Sequence, residues 1–342
     1  MNAPTATLRT ESSGPLSLSA KLERWPVRVP FRITGHVWEH LDVAVVTLRS
    51  GNHVGRGEGA GVYYRNDMPK DMLPQIERVR PQIEAGISRE SLRTLLPPGG
   101  ARNAIDCALW ELESRIAGRP VWQLAGIPAP HPLVTTMTCG AESPEVMAAT
   151  ALGYRGARAI KLKLTGEPID AERVRAVRSA LPEVWLGVDA NQGFTRASLD
   201  RLMPVLVDAN VSLIEQPNRV GEEAILDSLR SPIPIAADES VQSLADVPAL
   251  AGRYQVMNIK LDKCGGLTEG LAMARAARDC GLDVMLGNML GTSLAMAPAF
   301  VLGQLCKVVD LDGPLLLKGD RPSTVTYLDG SIDCPASLWG YS

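Results

Sequence analysis

The 342-residue sequence predicts an α/β fold, a parallel barrel over residues 130–320 preceded by a smaller α+β unit over 16–125. Three observations predict it. Eight short apolar runs recur after residue 130, with starts 22 to 27 residues apart. Helical stretches such as AERVRAVRSALP and GLAMARAARDCG fill the gaps, and strands alternating with helices at that period build a parallel sheet. Before residue 130 the strands come first and the helices follow, an order that suits an α+β unit. Periodicity does not show closure, so an open doubly wound sheet is the main rival. Eight units and the chain length favour the barrel.

Residues 1–15 lack a continuous apolar core and are expected to form a flexible tail, neither signal peptide nor anchor. LSLSAKLERWPV (16–27) and LDVAVVTLRSG (41–51) read as strands, and VGRGEGAG (54–61) as a glycine-rich turn. Its glycines at 55, 57, 59 and 61 depart from G-x-G-x-x-G, so no dinucleotide site is predicted. DMLPQIERVRPQIEAG and ARNAIDCALWELESRIAG carry apolar residues at helical spacing, and each ends in glycine. The barrel strands follow as VTTMTC (134–139), AIKLKL (159–164), WLGVDA (185–190) and SLIEQP (212–217). PIAADE (234–239), VMNIKL (256–261), DVMLGNML (283–290) and VVDLDG (308–313) complete the eight.

Composition narrows the partners. Hydrophobic residues make up 45% and charged residues 21%, ordinary for a soluble globular chain. A net charge of −3 without a basic run argues against nucleic acid or an anionic membrane as partner. No apolar run is long enough to span a bilayer. The six cysteines are scattered without a C-x-x-C pair, which points to a reducing compartment and a cytoplasmic protein. A small-molecule substrate and a homo-oligomer are expected.

In barrels of this kind the active site lies at the C-terminal ends of the strands. Ionisable residues end six of the eight runs: Lys161 with Lys163, Asp189, Glu215, Asp238 with Glu239, Lys260, and Asp310 with Asp312. One acid at a strand end is ordinarily a helix cap or a solvated loop residue. Acids on three successive strands, followed by a lysine, go beyond that. Asp189, Glu215 and Asp238 offer the hard oxygen ligands that Mg²⁺ takes. Acids paired to arginines are the structural alternative, but no arginine stands in those three runs. In a ring of eight, the second and sixth strands face each other, so Lys163 and Lys260 would lie across the mouth. Two bases flanking one carbon can take a proton from one face and return it to the other. The metal would stabilise the enediolate between the two transfers. Lys161 shares the face of Lys163, two residues on, and supplies a fixed positive charge near the substrate carboxylate. Like charges this close disfavour double protonation, which suits a base.

Together the motifs KLK (161–163), DAN (189–191), EQP (215–217), DES (238–240) and NIKLDKCGG (258–266) resemble the enolase superfamily over nearly the whole chain. They are similar to its muconate-lactonizing-type subgroup, and to the dipeptide epimerases within it. The resemblance implies a modified (β/α)₇β TIM-type barrel, an α+β capping domain, and a C-terminal segment (321–342) returning to the cap. It also implies one Mg²⁺ per subunit on Asp189, Glu215 and Asp238, with Lys163 and Lys260 as the acid/base pair. Lys260 is assigned over Lys263 because it directly ends its strand. In VVDLDGPLLL the D-x-D pair, Asp310 and Asp312, matches the aspartates that hold the substrate α-ammonium group in dipeptide epimerases; a capping pair is the plain alternative. Thr138, Asn288 and Leu290 match that family's substrate-contacting positions.

The implied reaction is two-base 1,1-proton transfer at the carbon next to the carboxylate of a dipeptide. Racemases of N-acylated amino acids share the machinery, and a dehydratase or cycloisomerase could use the same scaffold. A catalytically idle ligand-binding barrel is the alternative from another class, and the intact set of bases and ligands argues against it. One departure stands out. In alanyl-glutamate epimerases a cationic residue of the cap loop meets the glutamate side chain, whereas FRITGHVWEHLD (31–42) has no lysine or arginine after Arg32. His36 takes the matching position, with Trp38 and Glu39 following, so neutral, hydrophobic or cationic second residues are expected to outperform glutamate. AGVYYRNDMP (60–69) is expected to form a second cap loop, from which Tyr63, Tyr64 and Arg65 could reach the substrate.

Overall fold

The first three strands, β1 (Leu16–Ile33), β2 (His36–Ser50) and β3 (His53–Gly59), pair antiparallel in a computed structural model that describes residues 16–33 and 36–340. The tail expected at 1–15 lies outside the described residues. Helices α1 (Pro69–Glu84), α2 (Arg89–Leu95), α3 (Gly100–Ala117) and α4 (Val121–Leu124) follow. The glycine-rich stretch expected as a turn is β3 itself. Its alternate glycines share one face, and α3 lies directly on that face. A Cβ on Gly55, Gly57 or Gly59 would come within 2.0, 2.0 and 2.4 Å of the carbonyl oxygens of Ala108, Ala104 and Gly100. A period of two on the strand thus meets a period of four on the helix, and only glycine permits so close an approach.

The run expected as the first barrel strand is broken into β4 (Leu133–Val134) and β5 (Thr136–Cys139). β4 leaves the barrel and pairs with a late hairpin, β13 (Thr326–Leu328) and β14 (Ser331–Asp333). The barrel continues as β5, α5 (Pro144–Gly153), β6 (Ala159–Lys163), α6 (Asp170–Ala180), β7 (Trp185–Asp189), α7 (Arg196–Asp208), β8 (Leu213–Glu215) and β9 (Ile235–Ala237). It ends with β10 (Val256–Ile259), α8 (Leu261–Cys264), α9 (Leu267–Asp279), β11 (Asp283–Leu286), α10 (Ser293–Gly303) and β12 (Val308–Val309). After β8 and β9 the expected helices shrink to 3₁₀ turns, Glu223–Leu226 and Leu244–Leu250, in the two shortest repeats.

All eight strands from β5 to β12 are parallel and ordered as in the chain. No main-chain ladder joins β5 to β12 among the described residues. Side chains bridge the two edges instead: Thr136 Oγ1 donates to Asp310 Oδ1 (2.5 Å), Thr138 N to Asp312 Oδ2 (2.7 Å) and Leu311 N to Thr135 Oγ1 (2.9 Å). The sheet is a near-closed ring with a side-chain seam.

The cap sits on the mouth of that ring. One continuous apolar core contains Val43, Cys107 and Trp110 from the cap and Leu290, Met296 and Phe300 from the barrel. The last stretch of chain returns to the cap. Lys318 N donates to Pro26 O (2.8 Å), Trp339 Nε1 to Arg56 O (3.0 Å), and Arg321 pairs with Glu23 and Glu58 (each 2.6 Å).

Candidate active site

Side chains alternate along β6, so Lys161 and Lys163 face the barrel interior together while Ile160 and Leu162 pack outward against its helices. Their carboxylate partners come from the ends of neighbouring strands. Asp189 ends β7, Glu215 ends β8 and Asp238 follows β9. One oxygen from each lies within 4.8 Å of the others, and all three residues are buried.

The chain leaves these positions abruptly. Asn191, Gln192 and Gln216 adopt left-handed backbone angles (φ 41°, 67° and 35°), uncommon for residues with a Cβ and concentrated at functional turns. Gln216 then ties two strand ends together: its Oε1 accepts from Asp238 N (2.9 Å) and Ser240 N (3.1 Å). Asn258 Nδ2 donates to Glu215 Oε1 (2.8 Å) and holds that carboxylate inward.

Each proposed base holds a different aspartate of the triad. Lys163 Nζ lies 2.6 Å from Asp189 Oδ2, and Lys260 Nζ lies 2.7 Å from Asp238 Oδ2. They stand four strands apart in the ring, on opposite sides of one cavity that both line. Lys161 reaches Glu215 (2.7 Å), Asp310 (2.9 Å) and Asp189 (3.1 Å). Lys263, expected in a loop, is instead buried in α8 with its ammonium group on Asp238 Oδ1 (2.5 Å). Burial opposes the charge on Lys260, but Asp238 and Glu215 outweigh it and hold its ammonium group above the ordinary lysine range.

Charge bookkeeping supports a cation here. Asp189, Glu215, Asp238, Glu239, Asp310 and Asp312 are buried with Lys161, Lys163, Lys260 and Lys263, six carboxyl groups to four ammonium groups, so with all six ionised two negative charges lack a partner. Burial, and next the charge of Asp189, push the Glu215 carboxyl up to about 7. Its Oε2 lies 2.7 Å from the Lys161 ammonium group. A divalent cation matches both the missing charge and the all-oxygen donor set.

The same cavity gathers Thr138, Asn288, Leu290, Asp310 and Asp312 with the three lysines. Its roof comes from the cap: Phe31, Ile33, Trp38, Tyr63 and Tyr64. His36 lines a neighbouring cavity of about 300 Å³, stacked on Tyr63 with ring centroids 4.4 Å apart. Trp38, Tyr63, Met289 and Leu290 line both spaces and form their shared wall. Arg65 lines neither cavity and donates to Gln242 Oε1 (3.3 Å). Sequence reasoning gave no role to Asn191, Glu239, Met289 or Leu316, which also line the site. For Asn191 and Glu239 a signal existed, since each stands within two residues of an acid ending a strand.

Residues 146–337 match the enolase C-terminal domain-like family, and residues 17–126 match the mandelate racemase/muconate lactonizing enzyme N-terminal domain. The chain belongs to the enolase superfamily. This superfamily member is 39% identical over 312 residues to the L-Ala-D/L-Glu epimerase of Escherichia coli (strain K12), spanning 91% of this chain and 97% of that one. It is 42% identical over 246 residues to the N-acetyl-D-glutamate racemase of a Pseudoalteromonas species, 72% of this chain and 78% of the relative. Among solved structures, an enolase family member from Agrobacterium tumefaciens with bound sodium and L-Ala-L-Glu superposes with a TM-score of 0.92 at 40% identity, over 95% of this chain and 100% of the other. The dipeptide epimerase of Methylococcus capsulatus, complexed with Mg and L-Arg-D-Lys, gives 0.87 at 28% identity, over 94% and 97%. No helix among the described residues is long and apolar enough to cross a membrane.

Proposed function

We propose that this superfamily member is a Mg²⁺-dependent epimerase that inverts the carbon next to the carboxylate of a dipeptide. The observation that carries the reading is the pair Lys163 and Lys260, on opposite sides of one cavity and each held by a different acid of the buried triad. One lysine removes the α-proton and the other delivers a proton to the opposite face; the roles exchange for the other epimer. Asp189, Glu215 and Asp238 would hold the cation, which supplies Lewis-acid charge to the substrate carboxylate. Lys161 stands beside that position, and Phe31, Ile33, Trp38, Tyr63 and Tyr64 of the cap roof the cavity. The test is incubation with single alanyl dipeptides in D₂O, followed by NMR. Deuterium at the α-carbon of both epimers, without loss of water, is the expected outcome; dehydration or absence of exchange refutes the reading. Chelation with EDTA should abolish turnover and added Mg²⁺ should restore it.

A second reading, racemisation of N-acyl amino acids, has its own support. Asp310 already receives Lys161 and Thr136, and Asp312 receives Thr138 N, so both carboxylates have partners within the protein without a substrate ammonium group. Burial and the neighbouring Asp310 charge push Asp312 up to about 7, which weakens it as a cation site near neutral pH. Comparing each free dipeptide with its N-acetylated amino acid counterpart separates the readings. Tight ammonium binding favours the free amine by at least tenfold in kcat/KM.

The roof bears on the epimerised side chain. None of the cap residues lining the cavity is cationic, and Arg32 is turned to Glu142 (3.6 Å). This supports neutral, hydrophobic or cationic side chains over glutamate, in contrast to the glutamate substrates in the names of the E. coli and Pseudoalteromonas relatives. A panel of charged, aliphatic and aromatic second residues decides it. Preference for glutamate would mean that a cation such as Arg65 swings in, and Arg65→Ala would then abolish that preference. The scattered cysteines suit a cytoplasmic setting, and light scattering on the purified protein tests the expected homo-oligomer.

A further inference from the structure

Two side chains lining the cavity carry oxygen atoms that nothing in the protein satisfies. Asn191 Nδ2 donates to Glu239 Oε1 at 3.2 Å, which sets the two groups against each other. Asn191 Oδ1 and Glu239 Oε2 are then left buried without a hydrogen-bond partner. Glu239 is only 4% exposed. Buried acceptors in native proteins are nearly always satisfied, so an orphaned pair on a cavity wall marks the place of something the polypeptide does not supply. With Glu239 ionised both orphans are acceptors, and the group that would hold it in that form is a donor. The cavity's own ammonium groups are committed elsewhere: Lys161 to Asp189, Glu215 and Asp310, Lys163 to Asp189, and Lys260 to Asp238.

Position selects among the remaining donors. Asn191 stands two residues after Asp189, and Glu239 directly follows Asp238, so the pair flanks the strand that carries Glu215 between them. Asn191 N also donates to Asp189 Oδ1 (2.8 Å), which ties this edge of the wall to the triad. Mg²⁺ takes six oxygens and gives up water reluctantly, so three carboxylates leave positions for water. Water on a dication is a strong donor and needs acceptors around it.

We propose that Asn191 and Glu239 form an outer shell for the cation, their free oxygens accepting hydrogen bonds from its bound water. The proposal rests on the metal assignment above. It makes both residues positioning residues that raise cation affinity without touching the ion.

The test is calorimetric titration of the purified, chelator-treated protein with Mg²⁺ alone, without substrate. Glu239→Gln presents an amide donor or a weaker neutral acceptor where the free carboxylate oxygen stood, and Asn191→Ala removes the partner. Mg²⁺ affinity is expected to fall ten- to a hundredfold in Glu239→Gln and by a smaller factor in Asn191→Ala. Melting temperatures in EDTA should stay at or above the wild-type value in Glu239→Gln, which removes a buried charge, and fall in Asn191→Ala, which takes the one donor from the buried Glu239 carboxylate. If wild-type protein binds no Mg²⁺, the metal assignment fails and the outer shell with it. If wild type binds and both variants bind within twofold of it, the outer shell alone is overturned. Unchanged Mg²⁺ affinity with KM raised only for substrates bearing an N–H donor would place the orphan oxygens against the substrate instead, and would equally overturn it. Asn191 is half-buried, so that variant keeps the test alive should Glu239→Gln fail to fold.

Discussion

Lys163 and Lys260 make matching contacts with different aspartates, and that symmetry has a direct kinetic consequence. On the two-base proposal, replacing either by Ala removes one of two proton carriers. Epimerisation should fall by at least about 10²-fold, the lower range for a positioned general base. The surviving lysine should still exchange the α-proton of one epimer. Full epimerisation by either single variant, measured by NMR in D₂O, would sink the two-base assignment. These residues were legible in the sequence because an ionisable side chain ending an apolar strand has few uses other than the barrel mouth. Phe31, Trp38 and Tyr63 were less so: whether an aromatic residue roofs a cavity or packs a core depends on how the cap docks, and no spacing records that. His36 and Arg65 show the same limit, since their chain positions lie near the site and neither lines its cavity.

Periodicity served the barrel elements well and the cap less well. Repeats carry information because each unit restates the same burial pattern, and seven of the eight expected runs contain an unbroken strand. The eighth, β4–β5, breaks because its first half serves a different sheet. β3 was mistaken for a turn because glycine signals both a turn and a close contact. The contact sets the prediction at this scale. Gly57→Val would drive a branched side chain into the Ala104 carbonyl and push α3 off the sheet. A loss of about 1–3 kcal/mol or more is expected in urea unfolding, as for overpacked sites. Gly118→Ala tests the other kind of glycine, since it needs only its φ of 58° and meets no atom within 4 Å. Its cost should stay near ~1 kcal/mol.

Cap and barrel share buried charges as well as a core. Asp262, after β10, accepts from Ala60 N (2.9 Å) and Gly61 N (3.0 Å) of the cap. Thr268 of the barrel donates to Asp106 through N (3.0 Å) and Oγ1 (2.5 Å), and Arg93 pairs with Glu269 (2.7 Å). Such an interface predicts one cooperative transition, with tryptophan fluorescence and far-UV circular dichroism giving coincident melting curves. Two separated transitions would show that the cap unfolds on its own. Burial pushes Asp262 up to about 7 and Asp106 up to about 6. An unfolded aspartate titrates near ~4, so protonation of these groups favours the folded state. Their contribution is complete below that pH and is lost as pH rises through 6 to 7. Asp262→Asn keeps an oxygen for both cap amides and removes the titration. Its urea midpoint relative to wild type should therefore rise between pH 5 and pH 8, a trend that a flat or opposite difference would exclude.

The seam between β5 and β12 uses Asp310 and Asp312 as its rivets, and both also face the substrate cavity. Occupancy of the cavity and integrity of the ring are therefore two readings of one equilibrium. A ligand that adds a partner to either carboxylate tightens the hoop, and by mass action the gain grows with ligand concentration. Amide hydrogens along β5 and β12 should accordingly exchange more slowly with substrate present, while those of β8, on the far side of the ring, respond less. The barrel would grip its substrate the way a split ring closes when its gap is bridged.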